Sequence, residues 1–339
     1  RAGWLYRYSS DMKQMKGKSH YDSNVYAIKE ARDGQTWIGT RGKGIYGVDG
    51  LNFGNHNVFC MAEDNKSRMW VGTYGDGLSA VMKRGQKYLI KRLFRDSVGT
   101  NEVRCIIKDR KGWIWVGTTG GLLVFNPDKF ILDKNAYIQY LPGKEIHDIF
   151  VDSKNRIWLA IPEEGICVTT SKNGYNRLKF KCYNRLNGLV NDMTQCVVED
   201  RKGDYWISTQ QGVSCFNLRK KTFENYSLDP SPMGNMYNEN AAICLDDGRI
   251  LLGGYYGLTI IQPGKLRHAK DNVNVVFTSE PYSDIMTLDY SDNSPVIDFS
   301  TLDYSDVKNV KYTYWLEGYD KAWSGASPTS WAAYKNLSS

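Results

Sequence analysis

Histidine is the side chain best suited to moving a proton near neutral pH, and it is also a common metal ligand. This chain has four histidines, His20, His56, His147 and His268, and no two of them are spaced as His-x-x-x-His. His56 and His147 lie near the starts of two predicted strands, and with Glu102 they are the residues from which acid–base or metal chemistry could be assembled. The sequence contains no Gly-x-Ser-x-Gly elbow, phosphate-binding loop or paired-carboxylate signature. We therefore predict no catalytic residue and no metal site.

Two glycine-rich stretches have the spacing of a dinucleotide-binding loop. Residues 42–47 read GKGIYG and residues 75–80 read GDGLSA. A dinucleotide loop needs its glycines to open a helix whose N-terminus meets the pyrophosphate. Both stretches instead lead into strand-like segments at equivalent positions of a repeat. We interpret them as hairpin turns and predict no cofactor.

A tryptophan repeat predicts the elements that position these residues. Short segments such as TWIGT, MWVGT and IWVGT recur at intervals of 33 to 48 residues. The repeated positions are Trp37, Trp70, Trp115, Trp158, Trp206 and, in a decayed copy, Leu251. Such intervals are typical of a four-stranded propeller blade, which needs roughly 40–50 residues.

Each copy of the repeat is surrounded by the same local patterns. A short strand that ends in an acidic turn precedes the tryptophan strand, and a glycine turn, a further strand and often a more polar outer strand follow it. No segment shows a sustained helical period, so we predict an all-β fold. Six copies, together with residues 3–8 as part of an earlier one, favour a seven-bladed β-propeller with one incomplete blade. A six-bladed ring is the alternative.

The seven cysteines form no Cys-x-x-Cys pair, which gives a zinc or redox site no support. Cys60, Cys105 and Cys196 occupy the same position of the first strand in three copies, where crowding near the propeller axis favours a small side chain. We predict that they are structural core thiols. Cys167 and Cys182 lie on successive strands of one copy, and the sequence leaves open whether they are bridged.

The net charge of +7 arises from basic clusters at predicted hairpin tips rather than from a basic helix or stripe. We therefore predict no nucleic-acid partner. No apolar run approaches the length of about 18 residues that a membrane span needs. The sequence begins abruptly, and we expect it to be part of a longer protein.

The repeated pattern D-x-x-G-x-x-W-[IV]-G-T-x-x-G-[GL] resembles the two-component regulator propeller repeat. Residues 287–323 resemble the triple-tyrosine domain that follows such propellers, on the basis of IDFSTLDYS (297–305), Tyr312, Tyr314, LEGYD (316–320) and Trp323. The resemblance implies a propeller over residues 1–268, followed by an immunoglobulin-like β-sandwich over 272–339. The sandwich has a short lead at 273–286 and ends before its expected final strand, so we expect it to be partial.

The same resemblance implies the periplasmic sensor of a hybrid two-component system of the kind common in gut Bacteroidetes. In that family the sandwich links propellers to a membrane helix and a histidine kinase. It implies a membrane-anchored parent protein, an oligosaccharide ligand and a homodimer formed through the sandwich and the membrane-proximal region. This segment itself is expected to have no enzymatic activity. The alternatives are a propeller enzyme of the polysaccharide lyase or hydrolase type and a protein–protein interaction scaffold.

We expect the ligand at the propeller face where the loops between second and third strands meet the starts of the first strands. Tyrosine rings among amides and acids suit sugars, because sugar rings stack on aromatic faces while hydroxyl groups bond to polar groups. The candidate residues are Arg41, His56, Tyr74, Asp76, Glu102, His147, Glu163, Glu164, Gln210, Gln211, Asn238, Tyr255 and Tyr256. Arg41 could meet a uronate or a sulfate. The neighbouring first-strand starts also carry Asn57, Asn101, Glu145, Asn191, Asp192, Glu239 and Asn240. Asn and Asp before a strand are also ordinary turn residues, and this face could instead contact a second propeller or a dimer partner.

Overall fold

The computed structural model describes residues 3–21, 23–94, 101–170, 174–228, 231–266, 275–278, 288, 294–301 and 310–335. Over these residues the strands form eight sheets, and one short α-helix and three 3₁₀ turns accompany them. The chain divides into two compact units, Arg1–Gly264 and Lys265–Ser339. In the part of the chain that is described, no helix is long and apolar enough to cross a membrane.

The first unit consists of one small sheet and six larger ones, which we call blades 1 to 6. The small sheet pairs β1 (Trp4–Tyr8) with β2 (Met15–His20). Blade 1 contains β3 (Val25–Glu30), β4 (Thr36–Thr40) and β5 (Ile45–Tyr46), and blade 2 contains β6 (Val58–Glu63), β7 (Met69–Thr73), β8 (Leu78–Arg84) and β9 (Lys87–Arg92). Blade 3 contains β10 (Val103–Lys108), β11 (Ile114–Thr118), β12 (Gly121–Phe125) and β13 (Ile138–Tyr140). Blade 4 contains β14 (Asp148–Val151), β15 (Ile157–Ile161), β16 (Gly165–Thr169) and β17 (Phe180–Tyr183). Blade 5 contains β18 (Thr194–Glu199), β19 (Tyr205–Thr209), β20 (Gly212–Asn217) and β21 (Thr222–Tyr226), and blade 6 contains β22 (Tyr237–Cys244), β23 (Ile250–Gly254) and β24 (Gly257–Ile261).

Within every blade the strands are adjacent in chain order, so each blade is a meander of short hairpins. The small sheet corresponds to the outer part of a further blade, in agreement with the prediction for residues 3–8. Its hairpin turn lies beside blade 6, because the Arg249 guanidinium donates hydrogen bonds to the carbonyl oxygens of Ser10 and Asp11. The described residues therefore contain six blades and part of a seventh.

The helix was not predicted from the sequence. α1 (Pro127–Leu132) follows β12 in blade 3, and the Asn126 side chain caps it by accepting from the amides of Asp128 and Lys129. Phe130 anchors the helix in the core between blades 2 and 3. The 3₁₀ turns span Tyr175–Arg177, Arg185–Asn187 and Pro232–Asn235.

In blades 2 to 5 the repeated tryptophan is bonded to the acidic turn of its own blade. The Trp70 ring is fully buried and packs against Phe125 of blade 3. Its indole N–H donates to Asp64 Oδ2 at 2.9 Å, while Asp64 Oδ1 accepts the amides of the turn. The same bond recurs as Trp115–Asp109, Trp158–Asp152 and Trp206–Asp200, at 3.0 Å each. One aspartate thus closes the hairpin and satisfies the buried N–H, which would otherwise be costly.

The first strands β3, β6, β10, β14, β18 and β22 lie side by side in chain order and surround a central channel. Their crowding explains the small residues predicted at this level. A Cβ added at Gly117 of β11 would lie 2.5 Å from Cys105 Sγ and 2.9 Å from Ile146. Cys60, Cys105 and Cys196 are buried free thiols, as predicted, and burial raises the pKa of each.

The question left open for Cys167 and Cys182 has an answer in the structure. The two residues face each other across β16 and β17 and are joined by a disulfide. Cys167 is fully buried. The bridge fixes the outer strand of blade 4 to its neighbour.

The second unit is described in part, and its described strands form one sheet of β25 (Val275–Phe277), β26 (Val296–Thr301) and β27 (Trp331–Ala333). Phe299 and Tyr334 are buried there, with Tyr312 and Tyr314 packed against them. Asp320 of the LEGYD segment accepts hydrogen bonds from the Leu316 amide and the Tyr334 hydroxyl. The tyrosines on which the resemblance rests thus have structural roles. Residues 302–305 of the IDFSTLDYS motif, and His268, lie outside the described residues.

Candidate functional site

The second residue of the first strand is where the blades differ most in chemistry. In blades 2 to 6 it follows a buried residue, and in blades 1 to 5 it precedes the crowded position described above. The residues there are Tyr26, Phe59, Arg104 and Gln195, and the aligned residue of blade 4 is His147, directly before β14. In blades 1, 2, 3 and 5 the strand register shifts at this residue, as in a β-bulge. A bulge re-aims a side chain without disturbing the rest of the strand, so the scaffold holds these residues firmly while leaving their identities free.

These residues lie at one end of the channel, which we call the mouth. The loops between second and third strands reach the same end, because the Tyr74 amide donates to Asn57 O and the Gly75 amide to Asn101 O. Gln210 and Tyr255 donate in the same way to residues just before the first strands of blades 5 and 6. Loops and first-strand starts therefore form one surface.

Aromatic rings line the side of the mouth formed by blades 1 and 2. Tyr26 packs on Phe59 with ring centroids 4.6 Å apart, and Phe59 stacks on Tyr74 at 5.6 Å. Tyr26 and Tyr74 are 42% and 40% exposed, so part of each side chain is accessible from solvent. We call these three residues the aromatic row.

Charged groups line the adjoining side, and the Arg104 guanidinium, 5.6 Å from the Tyr74 ring centre, joins the two. Arg104 Nη2 lies 2.6 Å from Glu145 Oε1, and Arg104 Nη1 lies 3.4 Å from Glu239 Oε2. The His147 ring is buried, with Nε2 at 3.5 Å from Glu145 Oε1 and 3.7 Å from Glu239 Oε1. We call Arg104, Glu145, His147 and Glu239 the mouth cluster. Its members come from blades 3, 4 and 6, so the cluster spans the channel.

Glu239 reaches the cluster because blade 6 has a longer first strand than the other blades. Tyr237 pairs with Gly254, and the next pair is Ala242 with Leu252. In blade 2 the corresponding pairs are Val58 with Thr73 and, three residues later, Met61 with Val71. Two additional residues are therefore accommodated between Tyr237 and Ala242, with Asn240 at a φ of 52°. This insertion places Glu239 over the channel.

Below the cluster lies Asp148, a fully enclosed carboxyl group. Its Oδ2 accepts a hydrogen bond from the Val197 amide at 3.0 Å. Burial raises the pKa of Asp148 to about 7. The proximity of Asp148 contributes, after burial, to the raised pKa of the Cys105 and Cys196 thiols.

The residues predicted from the sequence fall into several groups on this face. Tyr74 belongs to the aromatic row, His147 to the mouth cluster, Glu102 forms a β-bridge with Tyr74, and Asn238 precedes Glu239. His56 and Asp76 form a separate pair, with Nδ1 and Oδ2 2.6 Å apart, so His56 and His147 make their contacts in different groups. The remaining candidates lie in loops: Arg41 in blade 1, Glu163 and Glu164 in blade 4, Gln210 and Gln211 in blade 5, and Tyr255 and Tyr256 in blade 6.

Several of these loop residues have partners in the segment that leads into the first strand of the same blade. Glu164 pairs with Lys144, Gln211 accepts from Asn191, and the Tyr256 hydroxyl contacts Met233 Sδ. Among the described residues, no group of three or more His, Cys, Asp or Glu is arranged to hold a metal ion.

Sequence reasoning missed Tyr26, Phe59 and Arg104. The signal that could have found them is present in the repeat. When the first strands are aligned on the tryptophan, the second position of blades 1 to 5 changes from aromatic to cationic to imidazole to amide. The residue before it is always Val, Ile or Thr, and the residue after it is Ala or Cys except for Asp148. Such variation on a constant frame is typical of a binding position.

Comparison with known proteins supports the propeller assignment. A family model described as "Two component regulator propeller" matches residues 22–42, 52–75 and 97–120, which lie in blades 1 to 3. Histidine kinase P4 of Formosa agariphila is 24% identical over 253 residues, which covers 56% of this chain and 18% of that protein. The chain thus spans about a fifth of this curated relative's length.

Two solved structures illustrate the range of the fold. The extracellular domain of a putative hybrid two-component system of B. thetaiotaomicron superposes with a TM-score of 0.60 at 21% identity, covering 93% of this chain and 52% of that one. Virginiamycin B lyase of Staphylococcus aureus superposes with a TM-score of 0.56 at 13% identity, covering 73% of this chain and 83% of the enzyme. These likenesses confirm the predicted β-propeller fold.

Proposed function

Because the chain carries two-component regulator propeller repeats, we propose that it is the extracytoplasmic, ligand-sensing part of a hybrid two-component histidine kinase. The resemblance of both the propeller repeat and the triple-tyrosine segment supports this role. The solved relative named as an extracellular domain of such a system, which covers 93% of the chain, agrees with it. In this proposal the segment binds a ligand and has no enzymatic activity of its own.

The disulfide supports a location outside the cytoplasm. Cys167 and Cys182 are bridged, and disulfides persist mainly in oxidising compartments such as the bacterial periplasm. We propose that the segment lies in the periplasm and that its parent protein is anchored in the inner membrane. The second unit would carry the signal toward the membrane, with a homodimer as the signalling form.

We propose that the ligand is an oligosaccharide bound at the mouth of the channel. The observation that carries this proposal is the aromatic row beside the mouth cluster, which Arg104 joins at the Tyr74 ring. Exposed rings such as Tyr74 offer a stacking platform for the apolar face of a sugar, and the neighbouring carboxylates and imidazole bond to its hydroxyl groups. The loop residues Arg41, Gln210 and Tyr255 would extend the surface for further sugar units.

The direct test is calorimetry of the protein against a panel of oligosaccharides. We expect at least one to bind, and Tyr74→Ala to weaken it up to about tenfold, because an aromatic contact contributes about 0.5–1.5 kcal/mol and about 1.4 kcal/mol corresponds to a tenfold change in affinity. Tyr6→Ala is the matched control: Tyr6 is 51% exposed and packs on Trp4 in the small sheet. Its replacement should leave the affinity unchanged.

The same experiment separates the alternative functions. Conversion of a bound sugar to product would replace the sensor with a propeller enzyme. Absence of binding across the panel would favour a protein-binding scaffold. Binding that is unaffected by Tyr74→Ala and Phe59→Ala would move the ligand away from the mouth.

A further inference from the structure

His147 presents a hydrogen-bond acceptor to the mouth. Its Nδ1 lies 3.1 Å from the Thr194 carbonyl oxygen, which can only accept, so Nδ1 carries the proton. In the neutral ring Nε2 then has a lone pair and no hydrogen. This lone pair faces Glu145 Oε1 at 3.5 Å and Glu239 Oε1 at 3.7 Å, both longer than the usual hydrogen bond. Three acceptors therefore converge on one point.

The convergence leaves hydrogen-bonding capacity unused. Glu145 Oε1 is buried and lies 2.6 Å from Arg104 Nη2, yet their alignment is not that of a hydrogen bond. Arg104 Nε is also buried without a hydrogen-bond partner. Glu239 touches Arg104 only at 3.4 Å. A buried acceptor without a donor is costly, so this point is prepared for a group that brings several N–H or O–H donors.

The mouth cluster also carries more negative than positive charge. Two carboxylates, Glu145 and Glu239, face the single guanidinium of Arg104. One negative charge remains, and half-buried charges are stabilised by a partner of opposite sign. An anionic group placed here would add to the excess, whereas a cation would remove it.

We propose that the mouth cluster binds the ammonium group of an amino sugar, with Glu145, Glu239 and His147 Nε2 as its three acceptors. An ammonium group has three donors and one positive charge, which matches the number of acceptors and the missing charge. This inference rests on the proposed carbohydrate-binding function and names the class of sugar. Glu239, which the insertion of blade 6 places over the channel, is then the residue that determines the preference for an amino sugar.

Calorimetry with three tetrasaccharides tests the assignment: β-1,4-linked glucosamine, its fully N-acetylated counterpart and galacturonate. We expect the glucosamine tetramer to bind at least tenfold more tightly than the acetylated one, because acetylation removes the charge and two donors while the ring remains. Galacturonate should bind most weakly. Glu239→Gln should remove the preference for the amine and leave the acetylated tetramer's affinity nearly unchanged.

Glu199→Gln is the matched control, because it makes the same change near the opposite end of a first strand, where Glu199 bonds to Ser153. It should keep the preference for the amine. Thermal unfolding of both variants establishes that they fold.

The remaining outcomes distinguish this inference from the function on which it rests. Equal affinity for the amine and its acetylated form would overturn the ammonium site and leave carbohydrate sensing intact. If no oligosaccharide bound, the proposed function would fall. Titration with 1,5-diaminopentane would then test the ammonium site separately from carbohydrate binding. If the diamine binds the wild type but not Glu239→Gln, the ammonium site is supported. If the diamine does not bind the wild type, the site is refuted.

Discussion

Asp148 shows how one residue at the axis makes stability depend on pH. Burial raises its pKa in the folded protein to about 7, whereas the unfolded chain has the ordinary value near 3.9. Between these values the folded state binds a proton that the unfolded state has released. The free energy of unfolding therefore falls as pH rises from about 4 to 7 and is constant with respect to this group above 7.

Asp148→Asn should remove this dependence, because the amide oxygen can still accept from the Val197 amide while the side chain no longer ionises. We expect the variant and the wild type to be equally stable near pH 4. At pH 8 the variant should be more stable by at most about 4 kcal/mol, which corresponds to a pKa shift of about three units. Denaturant unfolding at pH 4.5, 6 and 8 measures the difference, and parallel curves for the two proteins would contradict the prediction.

The candidate site was only partly predictable residue by residue. His147, Tyr74 and Asn238 could be proposed because polar residues at strand starts and loops are a general expectation. Arg104 could not, because within its own strand VRCIIK it resembles any solvated charge. Its role depends on Glu145 and Glu239, which lie 41 and 135 residues away in the chain, and a single sequence holds no direct record of such contacts.

At the scale of elements, the strands were predictable because each blade repeats one set of local rules. The acidic turn, the tryptophan strand and the glycine turn appear together, so that each copy supports the interpretation of the others. The failures are local. α1 has only six residues, fewer than two helical turns, although Asn126 and Pro127 are a typical helix start. The insertion in β22 was hidden because blade 6 has Leu251 and Leu245 in place of the tryptophan and aspartate.

The disulfide of blade 4 leads to a prediction about a single pair of strands. Cys167 and Cys182 are 15 residues apart, and closing a loop of that length stabilises the folded state by about 3 kcal/mol. We expect a reducing agent to lower the melting temperature of the wild type, and the variant Cys167→Ser/Cys182→Ser to melt at the lower temperature with or without it. Circular dichroism with increasing temperature provides the measurement.

Cys215→Ser is the control for this experiment, since Cys215 is a partly buried free thiol in the neighbouring blade. That variant should keep the full response to the reducing agent. A wild type that melts at the same temperature under both conditions would show that the bridge does not hold blade 4 together.

At the scale of the whole molecule, the mouth cluster joins blades that are not neighbours in the ring. Arg104 belongs to blade 3 and Glu239 to blade 6, and both contact groups from blade 4 or its lead-in, Glu145 and His147. A ligand held by these residues would stabilise several first strands at once. In a sensor, ligand binding must favour one of two conformational states. A ligand contact that spans the channel can do this, because it changes how the blades are held relative to one another.

Hydrogen exchange can reveal whether binding has this distributed effect. On addition of the tightest-binding oligosaccharide of the panel, we expect slower amide exchange in the first strands β6, β10, β14 and β22 together. At a ligand concentration of about 100 times Kd, the free energy of opening should rise by about 2.7 kcal/mol where opening releases the ligand. The outer strands β9, β13, β17 and β21 should exchange as before, because they lie at the far edge of each blade. Tyr74→Ala, with an affinity about tenfold lower, should at the same ligand concentration show only about half of this rise, about 1.4 kcal/mol. Protection confined to the loops of one blade would mean that the ligand sits on a single blade, and the channel-spanning cluster would then have no part in sensing.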